Sequence, residues 1–177
     1  MSSFYTKDKL EFLTVVVETC KFLELAAAST KNDFVTKVTK LLPLLYLKTA
    51  MVHISEDDSV DEELERFVSE IDYEHLRTQI ENLLGESDSY LDSFDTNMEF
   101  SDTTLRASIS EDLADVYQSI KNYAACCQVG DESVMNAALV VCVFEFKNYW
   151  GIRLLGALRA LHLVMVSLEN SEDKDFD

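Results

Sequence analysis

The chain has one proline and four glycines in 177 residues, too little material for the many tight turns that an all-β fold requires. Histidine occurs three times, and His53, His75 and His162 have no spacing that would join them in a zinc site. Four cysteines are present, but Cys20, Cys126, Cys127 and Cys142 form no C-x-x-C pair and all fall inside apolar helical patterns. They read as reduced thiols in the core of a cytoplasmic protein, not as disulfides or metal ligands. There is no glycine-rich phosphate loop, no Ser-His-Asp or Cys-His spacing, and Asp88, Asp92 and Asp95 lack the glycine and spacing of a calcium loop. The N-terminal MSSFYTKDKLEF places charges where an export signal needs an apolar run. Basic residues are also scarce, 15 Lys and Arg against 33 acids for a formal charge of −18. That field opposes nucleic acid and anionic membrane surfaces, which both need phosphates neutralised by Lys and Arg.

What the sequence does contain is helix. Long Leu/Ala/Glu/Lys-rich runs and a hydrophobic content of 47 % predict an all-α, single-domain bundle over residues 1–168, with five to six helices around a kinked apolar C-terminal helix. The organising stretch is 131–168. Within it Trp150, Leu154, Leu158, Leu161, Met165 and Leu168 recur at steps of three and four and share one helical face, while apolar residues on the opposite side predict cover from other helices. An unbroken helix over this stretch would reach roughly 57 Å, too long for a compact chain of this size, so a break is expected around Asn148 to Gly151. Arg153, Arg159 and His162 within the span argue against a transmembrane segment.

Earlier in the chain, Leu13, Val16, Val17, Cys20, Leu23 and Ala27 mark an amphipathic helix from Thr6 to Ala28. Asp33 is the expected cap of a second helix through Phe34, Val38, Leu41, Leu42, Leu45 and Val52, kinked at Pro43. Lys37, Lys40 and Lys48 fall outside its apolar stripe and read as a solvated face. Residues 55–66 read as an acidic mobile loop in which Ser59 and Glu62 have capping-box spacing. Tyr73, Leu76, Ile80, Leu83 and Leu84 mark a third helix ended by Gly85. Residues 86–107 read as an irregular connection pinned by Tyr90, Leu91, Phe94 and Phe100. Ser108 and Glu111 form a second capping-box pattern before a fourth helix built on Leu113, Val116, Tyr117, Ile120, Ala124 and Cys127, which Gly130 ends and after which Asp131 caps the next element. Residues 169–177 read as a disordered acidic tail.

The segments FVSEIDYEHLRTQIENLLGESDSYLD at 67–92, SEDLADVYQSIKNY at 110–123 and YWGIRLLGALRALH at 149–162 resemble, in this order, a family of small bacterial proteins, domain-of-unknown-function family 5063. The resemblance spans most of 67–162. It implies a soluble, predominantly helical protein with no assigned activity. At Gly156 the chain departs from the pattern, where a larger polar residue is expected, and the departure bears on any site built there.

Two readings of the chemistry remain. Residues 55–116 hold twenty acids against three Arg, whereas residues 1–54 hold seven Lys and five acids, so the negative charge is concentrated in the middle. This favours a non-enzymatic protein–protein interaction module with an acidic surface, a basic protein as partner, no cofactor, and a monomeric or homodimeric state. The alternative is a metal-dependent helical hydrolase of phosphorylated small molecules. Glu111, Asp112 and Asp115 would supply the oxygen ligands a hard cation needs, with Glu145 and Asn148 facing them. First-turn acids also complement the helix dipole, and Glu145, alone in an apolar run, calls for a structural partner. Arg153, Arg159 and His162 have the donors to bind a carboxylate or phosphate, or to pair with acids of the fourth helix. The candidate binding residues are therefore Asp112, Asp115, Glu145, Arg153, Arg159 and His162.

Overall fold

A computed structural model describes residues 5–55, 64–92 and 105–172. Helices α1 (Lys7–Glu24), α2 (Lys31–Ala50), α3 (Glu70–Leu84), α4 (Ile109–Val129), α5 (Glu132–Glu145) and α6 (Gly151–Glu172) account for most of them, with a two-stranded ribbon of β1 (Ser89–Asp92) and β2 (Leu105–Ser108). α1 packs on α2, α2 on α6, α6 on α4 and α4 back on α1, closing a four-helix ring, and α3 and α5 pack against α4 from outside it.

Local chemistry sets the boundaries. Thr30, not Asp33, is the N-cap of α2, because its hydroxyl accepts the Asp33 amide at 3.2 Å. Ser69 and Asp72 form a reciprocal capping box on α3. Gly85 (φ 59°) and Gly130 (φ 82°) end α3 and α4 with a backbone that side chains disfavour, and the Asp131 carboxylate caps α5 through the amides of Ser133 and Val134. α2 runs unbroken through Pro43. α1 stops at Glu24 and a 3-10 turn follows over Ala26–Ala28, in which Ala26, not Ala27, is buried.

The expected break in the C-terminal element is a π turn over Phe146–Trp150. Gly151 permits it, since a β-carbon there would stand 2.4 Å from the Phe146 carbonyl oxygen. Trp150 is fully buried and donates its indole N–H to the Cys142 carbonyl at 3.0 Å. Leu154, Ala157 and Leu161 continue the buried face. Cover is one-sided, however. α6 packs against α2 and α4, and Ile152, Leu155, Leu163 and Val166 on its other side face solvent. α4 is the more enclosed helix, burying even Asp112 and Asp115.

The stretch expected to be irregular contains a 3-10 turn (Gly85–Asp88) and the antiparallel ribbon, paired Ser89 to Ser108 and Tyr90 to Ala107. Strands of only four residues are too short to give a dependable periodic signal. α6 continues through Glu172, past the start of the expected tail. The pattern at Ser59 and Glu62, and the residues Phe94 and Phe100, lie outside the described residues. Cys20, Cys126 and Cys142 are buried free thiols, and Cys127 is half-buried and also free.

Candidate functional site

β2 runs directly into α4, and Asp88 fixes this junction. Its carboxylate accepts the Ser110 amide and the Ser110 hydroxyl, both at 2.7 Å. The three-residue step from Asp112 to Asp115 then places two buried carboxylates on one face of α4, opposite α3, β1 and α6. Arg153 of α6 lies between them, Nη1 3.4 Å from Asp112 Oδ1 and Nε 3.6 Å from Asp115 Oδ2. Tyr90 of β1 donates its hydroxyl to Asp112 Oδ2. Tyr73 of α3 donates to Asp115 Oδ1 at 2.9 Å. Arg153 also stacks over the Tyr149 ring, 5.7 Å from its centroid.

Burial is the main force on these groups. It pushes the Asp112 carboxyl up to about 6, against the Tyr90 hydrogen bond and the Arg153 charge, which both favour the carboxylate. Burial also raises the Tyr90 and Tyr73 phenols above their ordinary range, and their Asp partners raise them further. Tyr149 is pushed up to about 12 by burial and then by Asp115. Desolvation lowers Arg153, but the charges of Asp112 and Asp115 outweigh it and the net direction is up. The result is one guanidinium bridging two carboxylates whose outer oxygens are taken by tyrosines. It holds α3, the ribbon and α6 onto α4.

Residues 3–167 match the model of DUF5063, a domain of unknown function. The chain belongs to this family. The match extends well beyond the 67–162 segment that carries the resemblance. Among solved structures, protein BF1032 from Bacteroides fragilis is similar, with 39 % identity and a TM-score of 0.79 over 91 % of this chain and 94 % of that one. No curated protein matches.

In this DUF5063 chain Gly156 has a definite steric role. A β-carbon there would lie 2.6 Å from the Tyr90 hydroxyl oxygen and 3.6 Å from Asp112 Oδ2, so the small residue makes room for the tyrosine.

Of the other candidates, Arg159 stands beside the cluster, donating to the Leu91 carbonyl at 3.0 Å, with Asp92 Oδ1 at 3.8 Å and the Tyr90 ring centroid at 6.0 Å. His162 is exposed on α6 and is not a partner of the cluster. Glu145 does not face Asp112 and Asp115. It borders a cavity of about 190 Å³ further along α4, with Arg66, Asn122 and Tyr123 among its neighbours. Asn148 turns back to the Phe144 carbonyl of its own helix at 2.8 Å. Glu111 is exposed, and among the described residues no three metal-ligating groups converge.

Tyr73 and Tyr90 were not legible as site residues from the sequence. Nothing in their local pattern points to α4, which lies 42 and 22 residues away from them in the two hydrogen bonds.

Proposed function

We propose that this chain is a non-enzymatic interaction module that docks a basic partner on the acidic outer face of α3. The observation that carries the reading is Ile71, which is 81 % exposed in a shallow depression with Glu70, Glu74, His75 and Thr78. Phe67, also exposed, precedes it. An exposed large apolar side chain rimmed by carboxylates suits an amphipathic segment that offers Lys or Arg around an apolar contact. The surroundings reinforce this, since α3 exposes Glu70, Asp72, Glu74 and Glu81 and carries a single Arg, Arg77. Buried Asp112 and Asp115 with half-buried Arg153 leave the opposite impression, of a cluster whose polar capacity is spent internally. A divalent cation between the two carboxylates would have to displace Arg153, and this disfavours the hydrolase reading. The run Glu132–Ser171 has the length and composition to cross a membrane, but one face of α6 packs on α2 and α4, and Arg153 and Arg159 sit within the run, which supports a bundle role.

The test is affinity capture from a host extract with the wild-type chain beside Glu70→Lys/Glu74→Lys and Ile71→Ser. A basic protein retained by wild type and lost with both variants supports the docking face. Equal retention by all three chains contradicts it.

A further inference from the structure

A different surface, independent of α3, carries a second reading. On α6, Ile152, Leu155, Leu163 and Val166 are 61 %, 47 %, 66 % and 38 % exposed. At 3.6 residues per turn these four and Arg159 fall within an arc of about 80°, opposite the buried face. Their steps are three, four, four and three, so the stripe reads the same from either end and is centred on Arg159. Two α6 helices laid antiparallel with Arg159 at the two-fold axis would therefore set Ile152 against Val166, and Leu155 against Leu163, twice over. This is the self-complementarity an isologous interface requires.

Charge points the same way. Although the chain carries −18 overall, residues 151–168 contain no Asp or Glu. Two copies of α6 can therefore meet along this stretch without a carboxylate of the helix itself opposing them. At the axis each Arg159 guanidinium has its own Asp92 carboxylate beside it, so two neutralised pairs face one another. Size sets the strength. Ile152 to Val166 spans roughly 21 Å, and a contact of that length one helix wide buries less than the ~800 Å² per partner of a standard interface. Further exposed apolar side chains stand on the elements next to α6 in the fold, Phe144 of α5 and Leu44 and Leu47 of α2.

We propose that α6 is a homodimer seam, in which a second copy of this chain packs antiparallel across Arg159 to give a weak, reversible dimer. Screening the net charge should tighten the contact, so self-association strengthens with salt. Docking of a basic partner on α3 has the opposite trend, so failure of one reading is distinguishable from failure of the other.

The experiment is sedimentation equilibrium of the full chain over ~1–500 µM, at ~0.05 and ~0.5 M salt. The expected result is a monomer–dimer equilibrium that tightens at high salt and weakens about tenfold or more in Leu163→Glu. Circular dichroism verifies that this exposed substitution leaves the fold intact. Orientation is read separately by oxidation. Leu155→Cys/Leu163→Cys should form a covalent dimer, Leu155→Cys alone should not, and wild type serves as blank for the native thiols. A chain that is monomeric throughout overturns the proposal, even if Leu163 then proves to bind anionic vesicles. A dimer indifferent to Leu163→Glu, or one cross-linked by Leu155→Cys alone, also overturns it.

Discussion

Gly156 of α6 lies directly against the Tyr90 hydroxyl, and a β-carbon at 156 would stand 2.6 Å from that oxygen. The tyrosine reaches Asp112 only because this helix position has no side chain. Two effects therefore oppose each other in Gly156→Ala. Helix propensity favours alanine by up to ~1 kcal/mol, whereas displacing Tyr90 from a charged acceptor loses about 1.5–3 kcal/mol. The second is larger. Gly156→Ala should destabilise the fold by about 1–2 kcal/mol, and in the background Tyr90→Phe the same change should become neutral or stabilising. Denaturant unfolding of the two single variants and the double variant tests both halves.

Arg153 is the only cation bonded to Asp112 or Asp115 among the described residues. The folded-state Asp112 carboxyl is raised to about 6 from an unfolded value near 3.9. The folded chain thus holds the extra proton between these values, and ionisation of Asp112 weakens the fold as pH rises from about 4 to about 6. Without Arg153 the carboxylate loses its compensating charge. Arg153→Ala should destabilise by about 1–3 kcal/mol at pH 8, discounted from a fully buried pair because the arginine is partly exposed, and by visibly less at pH 5. Unfolding at the two pH values measures the difference, and an equal loss at both would contradict it.

Trp150 fills the packed interior beneath the π turn. Its emission should be blue-shifted and inaccessible to iodide, and Trp150→Ala should cost roughly 3–5 kcal/mol through the cavity it leaves. Emission near that of free indole, with a near-neutral substitution, would remove the residue from the core.

If Arg153 serves as the cation of the Asp112–Asp115 pair, calorimetric titration with Mg²⁺ or Mn²⁺ should show no binding in the millimolar range, and Asp112→Asn should leave that result unchanged. Saturable heat lost on Asp112→Asn would restore the hydrolase reading.

How much of this was legible in the sequence depended on the range of the interaction. Gly85, Gly130 and Asp131 act on their neighbours, and each performs the terminating or capping role that its local pattern implies. The break before Gly151 followed from length alone, although its form as a π turn depends on how Phe146 and Trp150 pack. Cross-chain pairings were not legible. Lys9 is buried and donates to Asn136 at 3.2 Å. Lys48, expected on a solvated face, pairs with Glu11 of α1 at 2.6 Å. For the candidate site, Asp112 and Asp115 were visible as acids near the start of α4, suited to the helix dipole or to a metal, and Arg153 as a polar residue of an apolar helix able to pair with them. Tyr73 and Tyr90 became partners only through tertiary packing, and Glu145 is directed elsewhere because it lies before the π turn, not after it.

The most direct test of the docking account is the affinity of the captured partner for this chain as a function of salt. With contacts to Glu70 and Glu74 at its centre, the dissociation constant should rise about tenfold or more between ~0.05 and ~0.5 M salt, and Glu70→Lys/Glu74→Lys should abolish both the binding and the dependence. Recovery of no stoichiometric partner at any salt, or an affinity that ignores both salt and the two glutamates, would contradict it.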